Sequence, residues 1–248
     1  MTLQLSWLPP PRSLNLPPGE VHVWRAALDL EPAALESAQA TLAAEERDRA
    51  ARFHSARDRQ RFIAARANLR AILARYLHRE PAQFEFVTSP SGKPELAPGG
   101  EAYGLRFNVS HAQGLALYAI TRHHPIGVDL ERVRLDFAWE EIAERFFAPG
   151  ELAALRSVPA ALQCEAFFHG WARKEAFVKA TGEGLSLPLD RFEVSLIPGE
   201  PARLLRTAGD PLEASRWRIQ ELEPAPGYVG AVAARAQEWA LKLWTTDH

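Results

Sequence analysis

The segment Phe167-Phe168-His169-Gly170-Trp171-Ala172-Arg173-Lys174-Glu175-Ala176-Phe177-Val178-Lys179-Ala180 constrains this chain more than any other. At about 100° per residue it is a helix whose apolar stripe carries Cys164, Phe168, Trp171, Ala172 and Val178. Glu175 falls inside that stripe, and Lys179 follows one turn later. Charges on a face that should be buried are costly unless they are paired, hydrogen-bonded or bound to a metal. Two readings follow: a structural Glu175–Lys179 pair at i,i+4, or a position that serves a ligand.

At 248 residues the chain can bury a large core as one domain or two small ones. With 47% hydrophobic and 24% charged residues it has the composition of an ordinary soluble globular protein. No apolar run approaches the roughly 20 residues of a membrane span. Residues 1–19 carry five prolines and no basic-then-apolar signal pattern, so we expect an extended or poorly ordered arm and a cytoplasmic protein. The single cysteine, Cys164, excludes an internal disulfide, argues against a cysteine-based zinc site and reads as a small core residue.

The net charge of −2 hides an asymmetry. Residues 45–79 hold ten arginines against four acids, a local excess of six positive charges. That suggests a phosphate-bearing or acidic partner; a solvated arginine-rich helix face is the alternative.

In chain order, the patterning predicts a strand at 21–28, a helix at 31–42 and basic helices at 45–54 and 58–78. A short strand at 84–87 runs into the turn-forming loop Ser89-Pro90-Ser91-Gly92-Lys93-Pro94, and strands follow at 106–111 and 115–121. The proline-broken polar stretch 122–125 reads as a boundary, giving an arm (1–19), an N-terminal half (20–122), a C-terminal half (123–238) and a tail (239–248). The second half reads as a strand at 126–133, a helix at 139–147, a turn at Pro149-Gly150, the long helix from 160 to 181 stopped by Gly182, and strands near 190–197, 216–222 and 228–234. Helices mixed with antiparallel strands in each half imply an α+β class.

In Ile126-Gly127-Val128-Asp129-Leu130-Glu131 the apolar residues point one way and the two acids the other. Such a pair is either the polar face of a half-buried strand or an all-oxygen site for a hard cation such as Mg²⁺, with Glu175 as the third carboxylate it would need. Glycine at 127 would then let a ligand approach. Asn108-Val109-Ser110-His111 ends a strand before a turn, where polar side chains meet ligands. No phosphate-binding glycine loop and no Ser/His/Asp or Cys/His nucleophile pattern is present.

These residues resemble the 4′-phosphopantetheinyl transferase superfamily, in its larger surfactin-synthetase-activating type. The resemblance rests on Gly127-Val128-Asp129-Leu130-Glu131, on Trp171 to Ala180 with Gly182-x-Gly184-Leu185, and on Arg145-Phe146-Phe147 and Glu151. Upstream, Gly92-Lys93-Pro94 and Asn108-Val109-Ser110-His111 fit two further motifs, so the likeness runs from about residue 42 to 232.

The resemblance implies two similar α+β subdomains related by a pseudo-twofold, with the active site in the cleft between them. It implies Mg²⁺-dependent transfer of phosphopantetheine from coenzyme A to a serine of an apo acyl or peptidyl carrier protein. It also implies a monomer, with neither nucleic acid nor membrane as partner. Asp129, Glu131 and Glu175 match the metal ligands, Glu175 also a candidate base, and Lys179 a lysine near the transferred phosphate. Lys93, Pro94, Ser110 and His111 match coenzyme A contacts, Arg49 matches a residue near its 3′-phosphate, and Lys174, Lys179 and Asp129 join the substrate-binding set. Glu151 matches a carboxylate near the metal in some members. Glu46 stands where the pattern has another basic residue, which shifts the expected 3′-phosphate clamp to Arg52 or Arg57. The competing readings are an arginine-rich module for RNA or an acidic protein, and a coenzyme A-binding homologue without turnover.

Overall fold

The computed structural model describes residues 6–89, 92–97 and 104–246, without the side chain of Leu185. It is α+β and divides into two compact units. The first comprises residues 1–107, 111–123 and 240–248, and the second residues 108–110 and 124–239.

In the first unit, β1 (Glu20–Ala27) pairs antiparallel with β5 (Leu115–Arg122) and parallel with β11 (Ala240–Thr245). With β4 (Leu105–Ala112) they form a sheet in the order β11-β1-β5-β4. Residues 240–245, within the stretch read from the sequence as a tail (239–248), are thus a strand of this sheet. Their partner is more than 200 residues away, and no local pattern records such a pairing. The proline-rich segment is also docked where it is described: Leu14 and Leu16 are buried, and Leu8 bridges Trp244. Its prolines set an extended course, and its leucines supply apolar surface to bury.

The helices of this unit are α1 (Pro32–Ala40), α2 (Ala44–Ala51) and α3 (Ala56–Leu77). Ser55 caps α3 by accepting the Asp58 N–H, and His78 closes it in the left-handed conformation. A short hairpin of β2 (Phe86–Thr88) and β3 (Pro94–Leu96) follows.

In the second unit, β6 (Ile126–Arg132), β10 (Tyr228–Ala234) and β9 (Arg218–Leu222) form an antiparallel sheet with β6 at one edge. Its helices are α4 (Glu140–Phe146), α5 (Pro149–Ser157) and the 22-residue α6 (Ala160–Thr181). A strand pair, β7 (Phe192–Val194) and β8 (Leu204–Thr207), adds to the core beside α6, where Phe177 meets Phe192 and Trp217 at 4.8 and 4.9 Å between ring centres. The Pro149-Gly150 pair starts α5 instead of making an isolated turn: proline at the first helical position lacks only an N–H that would have no helical partner.

Gly127 sets how closely α6 lies on β6. A Cβ at that position would overlap the Ala176 carbonyl oxygen and the Ala180 amide nitrogen, with the Lys179 carbonyl carbon at 2.9 Å. The missing side chain therefore makes room for helix backbone, and not for a ligand as its place beside the acids suggests.

Both units use one device. In α2 the Glu46 carboxylate accepts the Ala43 N–H at 3.0 Å and pairs with Arg66 and Arg70 of α3, at 2.5 and 2.7 Å. In α5 the Glu151 carboxylate accepts the Ala148 N–H at 2.8 Å and pairs with Lys174 of α6 at 2.6 Å. Each short helix is thus tied at its first turn to a buried cation on the long helix that follows, 24 residues later for Arg70 and 23 for Lys174.

Candidate active site

The acidic face of β6 and one line of α6 build the site. Helix α6 is buried around most of its circumference, and in its C-terminal half the line Trp171, Glu175, Lys179 stays only partly covered. The charged pair thus sits on the least buried line, not inside a buried stripe. The helix has core on several sides, so its apolar positions mark no single inward face.

Lys179 Nζ lies 2.6 Å from Asp129 Oδ1 and donates a second bond to Ser110 Oγ at 3.0 Å. Ser110 Oγ donates in turn to Asp129 Oδ1 at 2.9 Å. Asp129 is 4% exposed, and its other oxygen, Oδ2, is buried with no hydrogen-bond partner among the described residues. A buried carboxylate oxygen without a donor is costly and calls for a cation or a polar ligand.

Glu131, two residues along the strand, is only partly buried. Burial and the neighbouring Asp129 charge push its carboxyl up to about 7, Lys179 and Arg134 pull it down, and Glu175 adds to the rise. Asp129 and Glu175 thus both act on the Glu131 carboxyl, with Lys179 and Arg134 as counter-charges, a field that a divalent cation would relieve. Among the described residues no three or more His, Cys, Asp or Glu side chains stand as a ready-made metal cluster. The fit is in donor chemistry: hard carboxylate oxygens, one of them without a partner.

Other residues anticipated for the site lie elsewhere. Lys174, placed among the substrate contacts by resemblance, is fully buried and bonds both Glu151 oxygens and the Phe192 carbonyl. All three of its N–H bonds are thereby committed to the core. Glu151 has no room for a metal either: besides Lys174 it accepts the Ala148 and Val194 N–H groups. Burial works against charge on both partners, raising the Glu151 pKa and lowering that of Lys174. We read them as an ion pair, because five hydrogen bonds hold the charged forms. Cys164 is a core residue whose thiol pKa burial raises, as expected.

In the first unit, Arg49 and Arg52 line an open pocket of about 570 Å³ with Glu45, Asp48 and Phe53. Arg49 also stacks over Phe62. Glu46 is not an exposed substitution in this basic surface but the buried anchor described above. Arg57 is exposed and does not line the pocket. Lys93 follows the turn at Gly92 and leads into β3, which Pro94 opens; Pro90 and Ser91 of that loop lie outside the described residues. His111 is exposed on β4. The arginine-rich segment is partly consumed internally: Arg61 binds Asp29, and Arg66 and Arg70 bind Glu46.

Sequence reasoning missed Asn108 as an individual contributor. Its side-chain Oδ1 accepts the Val128 N–H at 2.9 Å, on the edge of β6 away from β10. The sequence signal was its place in the Asn108-Val109-Ser110-His111 stretch, two residues before Ser110.

Over 242 residues the chain is 42% identical to the 4′-phosphopantetheinyl transferase HetI of Nostoc sp., a match covering 98% of this chain and 99% of HetI. The chain belongs to the 4′-phosphopantetheinyl transferase superfamily. The superfamily pattern matches residues 125–245, and the pattern for the N-terminal part of 4′-phosphopantetheinyl transferases matches residues 29–123. The chain is also 32% identical over 191 residues to the 4′-phosphopantetheinyl transferase Sfp of Bacillus subtilis, covering 77% of this chain and 80% of Sfp. A human relative, L-aminoadipate-semialdehyde dehydrogenase-phosphopantetheinyl transferase, is 29% identical over 204 residues, covering 77% of this chain and 66% of that protein. As a 4′-phosphopantetheinyl transferase the chain is an enzyme. Among its described residues no helix is long and apolar enough to cross a membrane.

Proposed function

We propose that this 4′-phosphopantetheinyl transferase takes coenzyme A as donor and an apo acyl or peptidyl carrier protein as acceptor, with Mg²⁺ held by Asp129, Glu131 and Glu175. The carrier serine oxygen would form the new bond to the phosphorus bearing the pantetheine arm. The bond from that phosphorus to the bridging oxygen would break, releasing adenosine 3′,5′-bisphosphate. The observation that carries the reading is Asp129, buried beside Lys179 with one oxygen lacking a partner.

Bound there, Mg²⁺ would neutralise the diphosphate and act as Lewis acid. Glu131 and Glu175 would complete the ligand set that Asp129 begins. The chain's own residues supply the rest. Lys179, partly exposed, offers positive charge to the phosphate in transfer. Glu175, one turn before it on the less buried line, is the base for the serine proton. The nucleophile belongs to the acceptor, which agrees with the lack of any nucleophile pattern here. Arg49 and Arg52 line a pocket suited to a phosphate of coenzyme A, with Lys93, Pro94, Ser110 and His111 as further contacts. We assign the enzyme to the cytoplasm as a monomer acting without nucleic acid or membrane. The test is incubation with an apo carrier protein, coenzyme A and Mg²⁺, followed by intact-mass measurement. A carrier gaining one phosphopantetheine supports the reading, and one left unmodified at every Mg²⁺ concentration rejects it.

A further inference from the structure

We propose that Asn108 and Ser110 are positioning residues that hold the Asp129 carboxylate for its cation; this rests on the metal reading above. The edge strand β6 pairs with β10 on one side only. On its other side the Val128 N–H, next to Asp129, would face the interior without a partner if the Asn108 side chain did not accept it. Asn108 is buried, 5% exposed, so solvent is a poor substitute. Two residues on, Ser110 is 7% exposed and bonds the carboxylate itself.

The hydrogens count out in one way. Lys179 donates to Ser110 Oγ, so the single Ser110 hydrogen points to Asp129 Oδ1. Oδ1 therefore takes two donors, from Ser110 and Lys179, and Oδ2 takes none among the described residues. One clamp fixes the backbone beside Asp129 and the other fixes the carboxylate's rotation, leaving a single oxygen for a metal. Partners that orient a ligand in this way are typically worth about 10- to 100-fold in metal affinity. The role is separate from any contact of Ser110 with coenzyme A, because it is complete without substrate.

The experiment is Mn²⁺ binding to the full-length, coenzyme A-free protein, read by electron paramagnetic resonance of the free ion. Circular dichroism confirms folding of each variant. Ser110→Ala and Asn108→Ala should each weaken binding about tenfold or more, and Ser110→Thr, which keeps the hydroxyl, should restore most of it. If Asn108→Ala does not fold, the Ser110 pair decides the matter alone. Binding unchanged in Ser110→Ala while Asp129→Ala loses it would overturn the clamp and leave the metal site standing. Binding unchanged in Asp129→Ala would overturn the metal reading and the clamp with it.

Discussion

Lys179 Nζ and Asp129 Oδ1 are 2.6 Å apart, joining α6 to the edge strand β6 of the second unit at its most acidic point. The lysine side chain is 24% exposed and the aspartate side chain 5%, so the pair has one end in the protein and one toward solvent. That asymmetry suits a cation that steadies a buried carboxylate at rest and meets a phosphate during transfer.

Lys179→Met should therefore impair chemistry more than folding. Removing a donor directed at developing phosphate charge costs on the order of 10²- to 10³-fold in kcat. The lysine end of the pair reaches solvent and Ser110 keeps its bond to the buried Asp129, so the stability cost should stay below that of breaking a fully buried pair. The check is the single-turnover rate of carrier modification alongside urea unfolding. A large loss of stability with an unchanged rate per folded molecule would contradict it.

Lys174, five residues earlier, should behave in the opposite way. Lys174→Met leaves the Glu151 carboxylate charged and buried, which costs about 3–5 kcal/mol. Urea denaturation should show a loss of that size, with coenzyme A affinity of the remaining folded protein intact. A stable variant with weakened coenzyme A binding would return Lys174 to the substrate site.

Gly127→Ala should destabilise by about 3 kcal/mol or more, because overpacking costs most where the obstacle cannot move. The atoms a Cβ would meet are α6 backbone, not the tip of a flexible side chain. Chemical denaturation checks this; a loss below about 1 kcal/mol would mean that α6 shifts freely on β6.

Stability should fall in mild acid through His22. Its Nδ1 accepts from the Tyr76 hydroxyl at 2.8 Å, which itself accepts from Trp24 Nε1, and its Nε2–H donates to Glu20 at 3.0 Å. Burial lowers its pKa below the ordinary 6.5, against the opposing pull of Glu20. Below 6.5 the unfolded chain takes up a proton that the folded chain does not. The His22 contribution is thus full above that pH and is lost as pH falls toward the folded value. Urea midpoints measured from about pH 8 down to about pH 5 should decline more for the wild type than for His22→Gln. Parallel curves would contradict the assignment.

Local patterning was enough to recognise α6 from 160 to 181, β10 from 228 to 234 and the Gly182 stop, because helix period, strand alternation and a left-handed cap are written in adjacent residues. The Asp129-x-Glu131 pair on one strand was legible for the same reason; the sequence joined that pair to α6 through Glu175, whereas the contact α6 makes with Asp129 comes from Lys179. What escaped depends on distant partners. Glu46 and Glu151 look like ordinary first-turn acids until Arg70 and Lys174 arrive more than 20 residues later. Strand β11 needs β1 to exist at all. Asn108 matters through the Val128 N–H, which only the edge position of β6 leaves without a strand partner.

The central claim is that Asp129 anchors the ion on which transfer depends, and the rate of phosphopantetheine transfer by Asp129→Ala at saturating Mg²⁺ tests it most directly. With folding confirmed by circular dichroism, the rate should fall by about 10³-fold or more, beyond recovery by added metal. A near-normal rate would contradict the account.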